Sequence, residues 1–443
     1  MEGLAPAGLA SGLTEFWRAL SYSSRAVSPV SLDPGGLFMK LKEPRVQSPD
    51  LCNMASWQIL SVALTFVLVA RVWDINQHVV FAAVLLGLGA YIAWSKPPLN
   101  HSVLGYTPLA LMGLLFLVMA GSSLWAPEFD RTFSYSVFSF LHFLIGIAVA
   151  VAFPLARIAG GIILGVAGIA LYGLALGIVD PARAITNDLV MGEFTNSSEL
   201  SHFLGIGFVV GFGAFVAYRS VRVLLALFLV GLLVYLAYLG YLTSFVSLGA
   251  ALWVYLLVAL ARWRGPQARL SSVITAAAGT SALVTVAWFF RVPLQVLAGK
   301  TPDFSGRIPF WEHFWSLALA NPWGGLGWGW LTWAPPGEEP PVPVQEYFPA
   351  HQGYIEFAYM VGIPAMSLVI GVLLILLGRS FWSVTDVSSN TFFFSVVPAL
   401  IAYLAVFDLA ATFWTRTIGM FLLGTLVVLA SRLVDDSQRL PRF

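Results

Sequence analysis

The sequence predicts an all-α, polytopic membrane protein: a helical bundle of about twelve transmembrane helices with one large loop outside the cytoplasm. Hydrophobic residues make up 58% of the 443 residues and charged residues 10%. The mean hydropathy is +0.83. Apolar stretches succeed one another from near Ser56 onward. A soluble domain carries roughly 25% charged residues, whereas a bilayer core demands about 20 apolar residues per helix.

Residues 1–55 are rich in Ser, Pro, Gly and Ala without sustained periodicity and read as a disordered tail. Within it Met39 opens "MKLKEPR", an alternative start, and no cleavable signal peptide is expected. Polar breaks then divide the apolar runs into spans at roughly 56–72, 78–94, 103–124, 133–153, 158–179, 201–218, 223–240, 243–261, 271–290, 353–378, 392–408 and 413–431. The chain is thus expected to hold nine helices in 56–290, a large loop in 291–352, three helices in 353–431 and a short tail in 432–443. Orientation follows from basic residues in the short loops. With a cytoplasmic N-terminus, Lys96, Arg157, Arg219, Arg222, Arg262, Arg264, Arg269 and Arg379 lie inside, against Arg71, Arg131, Arg183 and Arg416 outside. Both termini are then cytoplasmic and the large loop faces the other side. Asp74, Glu128, Asp130, Asp180, Asp188, Glu193 and Glu199 make that outer face acidic.

Cys52 is the single cysteine, which excludes an intrachain disulfide framework and a cysteine-based metal cluster. The net charge of +1 gives no footprint for nucleic acid. Neither a phosphate-binding loop, a dinucleotide fingerprint, a His-x-x-x-His pair nor an internal repeat stands in the chain, so no cofactor or metal is expected. The expected partners are lipids.

The loop from Arg291 to Gln352 is the long exception among short connections, and long loops in compact proteins are usually functional. It contains "TPDFSGRIPFWEHFWSLALANPWGGLGWGW". Ile308, Trp311, Phe314, Trp315 and Ala318 fall on one side of a helix, and Glu312, His313 and Ser316 on another. That spacing predicts an interfacial amphipathic helix with Ser305 as a candidate N-cap and Pro309 in the first turn. Arg307 stands at its positive end, where backbone N–H groups and a guanidinium can converge on an anion. Gly324, Gly325, Gly327 and Gly329, interleaved with Trp323, Trp328 and Trp330, make a tight turn at membrane level. Such backbone is tolerated only where it is buried in protein or lines a wet cavity. After the loop, "FPAHQGYIEFAYMVGIP" puts His351 at the mouth of an apolar run.

"SGRIPFW", "ANPWGGLGWG" and "AHQGYIEFAYMVGIP", in that order around a variable loop, resemble the signature of the bacterial O-antigen ligase and polysaccharide polymerase superfamily. There an Arg-x-x-x-Trp element, a Pro-x-x-Gly-x-Gly turn and a His-Asn-x-Tyr-like element enclose a large periplasmic loop. "GSSLWAPEFDRTFSYSVFSF", "GEFTNSSELSHFLGIG" and the twelve-span layout extend the resemblance more weakly. The resemblance implies a glycosyltransferase of the bacterial inner membrane that moves a glycan from an undecaprenyl-diphosphate donor to an acceptor hydroxyl at the periplasmic face. The acceptor is lipid A core for a ligase, another lipid-linked repeat for a polymerase, or a protein hydroxyl in a third branch. It further implies that Arg307 binds the diphosphate and His351 sits beside the acceptor, with Gln352 and Tyr354 in the same element. Two departures stand out. Gln352 replaces the usual Asn, and "YLTSFVSLGAALW" keeps Ser244 and Ser247 without the arginine that many members carry there. Arg291 or Lys300 could then supply the second phosphate contact. Glu356, one turn after Gln352, is a candidate to orient the acceptor or the histidine.

The chemistry fits those residue types. Outside the cytoplasm no nucleotide sugar is available, so a lipid-linked diphosphate must carry the activation, and its departing charge needs fixed cations. A hydrogen bond to a charged group contributes roughly 1.5–3 kcal/mol, and the planar fork of arginine matches phosphate oxygens. Histidine, with a reference pKa of about 6.5, can take the acceptor proton without a metal. Each residue also has a structural reading. Arg307 can snorkel to headgroups, His351 can cap the helix that follows it, and the tryptophans can form an interfacial belt. His142 and His202 lie within or beside spans, where hydrogen bonding inside the bundle explains them equally well, and neither is counted in the site. A lipid-linked-sugar flippase or other twelve-helix transporter, and a non-catalytic membrane scaffold, are the competing classes. Transporters usually show midplane charge pairs or interrupted helices in matching halves, whereas this chain gathers its polar residues in one outer loop.

Overall fold

A computed structural model of the chain describes residues 57–67, 77–95, 106–186, 189–190, 197–264, 307–329, 352–385, 392–409 and 417–439, together with positions 271 and 278. In chain order its longer helices are α1 (Trp57–Val67), α2 (Gln77–Ser95), α3 (Tyr106–Gly121), α4 (Phe129–Ala152), α5 (Leu155–Val179), α6 (Ser197–Ala217), α7 (Arg222–Leu239) and α8 (Leu242–Arg264). They continue with α9 (Arg307–Ala320), α10 (Gly353–Val361), α11 (Ile363–Val384), α12 (Val396–Phe407) and α13 (Thr417–Arg439). The described strands are a two-residue hairpin, Ile185–Thr186 against Leu189–Val190. The architecture is all-α and multi-pass. Seven described helices are long and apolar enough to cross a bilayer: Thr107–Leu124, Phe129–Ala152, Leu155–Val179, Ser198–Ala217, Arg219–Leu239, Leu242–Trp263 and Ile363–Val384. The expected ninth span, 271–290, lies outside the described residues apart from positions 271 and 278.

Lipid as solvent explains how these helices are patterned. On α7, Val223, Leu227, Val230 and Val234 are exposed at spacings of three and four, while Leu225, Leu229, Leu232, Leu236 and Leu239 are buried. Both faces are apolar, as a membrane helix requires. On α4 the polar residues face protein: Thr132, Ser136, Ser139 and His142 are buried, whereas Phe133, Val137 and Phe140 are exposed. The hydroxyl of Ser136 donates to the Met119 and Thr132 carbonyls at 3.0 and 2.9 Å. The α4–α13 contact depends on small residues. A Cβ on Gly146 would overlap the backbone of Phe421, and one on Gly424 the backbone of Phe143. Without a hydrophobic drive between helices in lipid, such backbone proximity supplies dispersion contacts.

Two expectations change. The tenth span does not begin at 353. The backbone breaks at Gly362, with φ 100° and ψ 160°, and Pro364 sits in the first turn of α11. α11 is 22 residues long, about 33 Å at 1.5 Å per residue, so it is long and apolar enough to cross a bilayer without α10. Gly353–Val361 is therefore a separate element packed against α9 and α11. The helix in the loop also forms, but it is less two-sided than its spacing suggests. Phe314 and Ala318 are buried, Glu312 and Ser316 are exposed as expected, and Trp315 and Leu319 are exposed beside them.

Candidate active site

The second half of the glycine-rich turn after α9 is buried in protein at Gly325, Gly327, Trp328 and Gly329, while Trp323 is exposed. Gly325, Gly327 and Gly329 have φ of 61°, 114° and 78°, conformations that side-chain-bearing residues rarely adopt. The turn grips the break between α10 and α11. The N–H groups of Leu326 and Gly327 donate to the carbonyls of Tyr359 and Met360 at 2.8 and 2.7 Å, and Ile363 N–H donates to the Pro322 carbonyl at 2.8 Å. These bonds satisfy the last carbonyls of α10 and a free N–H of α11, groups that every helix end leaves over. Trp328 anchors the turn to the bundle. It is 1% exposed, its backbone N–H donates to the Ser122 hydroxyl and its indole N–H to the Ser139 hydroxyl, each at 3.0 Å. Its ring lies 5.0 Å from that of Phe357 on α10.

α10 is held at its other end by α12. Gly353 N–H donates to the Asp408 carbonyl at 2.9 Å, and a Cβ on Gly353 would collide with the Asp408 carboxylate. Asp408 is fully buried, one residue beyond α12. The Tyr354 hydroxyl donates to the Ala405 carbonyl at 2.9 Å. The side-chain oxygen of Gln352 accepts from the backbone N–H of Ile355 and caps α10. An asparagine in this position could cap in the same way, which gives the Gln352 departure a physical meaning. Glu356 is fully buried one turn further on.

Arg307 is the first residue of α9 and is half-buried. Its guanidinium carbon lies 5.9 Å from the centroid of the Tyr241 ring. Tyr241 stands between α7 and α8 and is 6.0 Å, ring to ring, from Phe407. Phe407 lies 4.2 Å from the ring of His202 and 5.8 Å from that of Tyr403, whose hydroxyl donates to the His202 carbonyl at 3.3 Å. Arg307 is thus linked to the start of α10 through Tyr241, Phe407 and Asp408, at one end of the bundle.

Residues 194–370 match the family model described as O-antigen ligase. The match makes this segment similar to that family. It covers about two-fifths of the chain and takes in His202, Tyr241, Arg307, the glycine turn, Gln352, Tyr354, Glu356 and Gly362, while Asp408 lies beyond it. A search of curated proteins gave no match to the chain.

Of the site residues read from the sequence, the fold brings Arg307, Gln352, Tyr354 and Glu356 to one end of the bundle. His351, Arg291 and Lys300 lie outside the described residues. The reading from sequence missed Tyr241 and Asp408 and set His202 aside. The available signal for Asp408 was a lone acid closing an apolar span in "AVFDLA". Tyr241, directly after Gly240 in "YLGYLTS", gave no signal beyond that of an interfacial aromatic.

Proposed function

We propose that the chain is a glycosyltransferase that moves a glycan from an undecaprenyl-diphosphate donor to an acceptor hydroxyl at the periplasmic face of the bacterial inner membrane. The observation that carries this reading is the meeting of Arg307 and the α10 N-terminus, through Tyr241, Phe407 and Asp408, inside or beside the segment that matches the O-antigen ligase family. Both termini are cytoplasmic on this reading, as the excess of basic residues in the inner loops favours.

In the proposed reaction the acceptor oxygen attacks the anomeric carbon as the bond from that carbon to the diphosphate oxygen breaks, and undecaprenyl diphosphate leaves. Arg307 binds the diphosphate and stabilises its growing charge, with the dipole at the α9 N-terminus adding to the field. Arg291 or Lys300 supplies the second cation. His351 takes the acceptor proton, a contribution of about 10²–10⁴-fold, and no metal takes part. Gln352 and Tyr354 position that histidine by holding the start of α10, through the cap on Ile355 and the bond to Ala405. Glu356 completes the support from within α10.

Deletion in the native host tests the reading. Loss of a ligase leaves undecaprenyl-linked polymer and an unglycosylated lipid A core, while loss of a polymerase leaves single lipid-linked repeats. Full-length surface glycan in the deletion strain would remove both.

A further inference from the structure

We infer that Tyr241 is a positioning residue for Arg307, fixing the guanidinium through its ring so that the fork is presented to the donor diphosphate. The inference rests on the reading of Arg307 as the donor ligand. The backbone at Tyr241 is tightly defined. Gly240, with φ 63°, ends α7 and donates its N–H to the Leu236 and Ala237 carbonyls, each at 3.2 Å, and α8 begins at Leu242. Tyr241 is the second of the two residues between the helices, after Gly240, and its own carbonyl accepts from Ser244 N–H at 3.1 Å. The ring has Phe407 on one side at 6.0 Å and the Arg307 guanidinium within cation–π range at 5.9 Å.

The choice of an aromatic partner has a chemical consequence. A ring attracts the guanidinium through its quadrupole and leaves the positive charge in place. The contact also joins two parts of the matched segment that the sequence separates widely, the α7–α8 junction and the first residue of α9.

The test uses the purified full-length protein with undecaprenyl diphosphate as the binding probe and the lipid-linked glycan as substrate. Tyr241→Leu should weaken undecaprenyl diphosphate binding about 3- to 10-fold and raise the donor KM by the same factor, with kcat changed less. Tyr241→Phe, which keeps the ring and serves as the fold-preserving variant, should stay within about twofold of wild type. In an Arg307→Ala background Tyr241→Leu should cause no further loss. Wild-type affinity in Tyr241→Leu overturns the inference, as does an equal loss from Tyr241→Leu with and without Arg307. If Arg307→Ala alone leaves probe affinity unchanged, the donor-ligand reading fails first. If Arg307→Ala weakens binding and Tyr241→Leu does not, only the positioning role falls.

Discussion

Replacing Gly362 by alanine should destabilise the protein by about 2–4 kcal/mol and impair transfer. Gly362 has φ 100° and ψ 160°, a region open almost only to glycine, and an L-residue there costs on the order of 1–3 kcal/mol. The new Cβ would also lie 2.6 Å from the backbone C and O of Trp323 and 2.9 Å from the Pro322 carbonyl oxygen. Backbone cannot swing aside as a side-chain tip can. Relief would stretch the Ile363 N–H bond to Pro322, a loss of roughly 1 kcal/mol. The matched control is Gly371→Ala in α11, where an added Cβ meets nothing within 4 Å and higher helix propensity should stabilise by up to about 1 kcal/mol. Both variants would be unfolded with SDS in mixed micelles and followed by tryptophan fluorescence, with glycan transfer measured in parallel. A Gly362→Ala protein that unfolds at the wild-type SDS fraction would refute the view that the turn and the helix break are locked together.

Trp328→Phe should cost about 1–2 kcal/mol through loss of the indole bond to Ser139, and much of that should return in the Trp328→Phe, Ser139→Ala double variant, measured by the same unfolding titration. Gly424→Leu should prevent α4 and α13 from packing, at roughly 3 kcal/mol or more, and abolish a monodisperse elution peak, while Gly378→Leu, whose Cβ meets nothing within 4 Å, should elute normally. In a Cys52→Ser background, a cysteine at Glu338 should react with an impermeant maleimide in intact spheroplasts and one at Gln267 should not; the opposite pattern would invert the orientation.

The membrane class was legible because charge depletion is a bulk property that no local packing detail can reverse. The buried turn was legible for a different reason: irregular backbone amid apolar spans must find partners, and the Tyr359 and Met360 carbonyls accept from Leu326 and Gly327 while the Pro322 carbonyl accepts from Ile363. The break at Gly362 was hidden by apolar residues on both sides. Hydrophobicity reports burial in lipid or protein but not helix continuity, and the Gly-Ile-Pro step was the only local mark. Trp315 looked like part of the apolar face with Phe314 and Ala318, yet it is exposed; in an interfacial helix exposed apolar residues carry little penalty, so periodicity loses its power to assign the buried side. Tyr241 and Asp408 could not be placed from sequence because their importance lies in contacts across long chain separations, with Arg307 and with Gly353.

The most direct test of the proposed chemistry is transfer by purified wild-type, Arg307→Lys and His351→Ala proteins, reconstituted with undecaprenyl-diphosphate glycan and candidate acceptors and compared at matched detergent stability. Arg307→Lys should weaken donor affinity and transfer together, because lysine keeps the charge and loses the fork. His351→Ala should retain donor affinity while transfer falls by about 10²–10⁴-fold. Near wild-type turnover by His351→Ala would contradict the assignment of the acceptor-side base and leave His351 as a residue at the end of a helix.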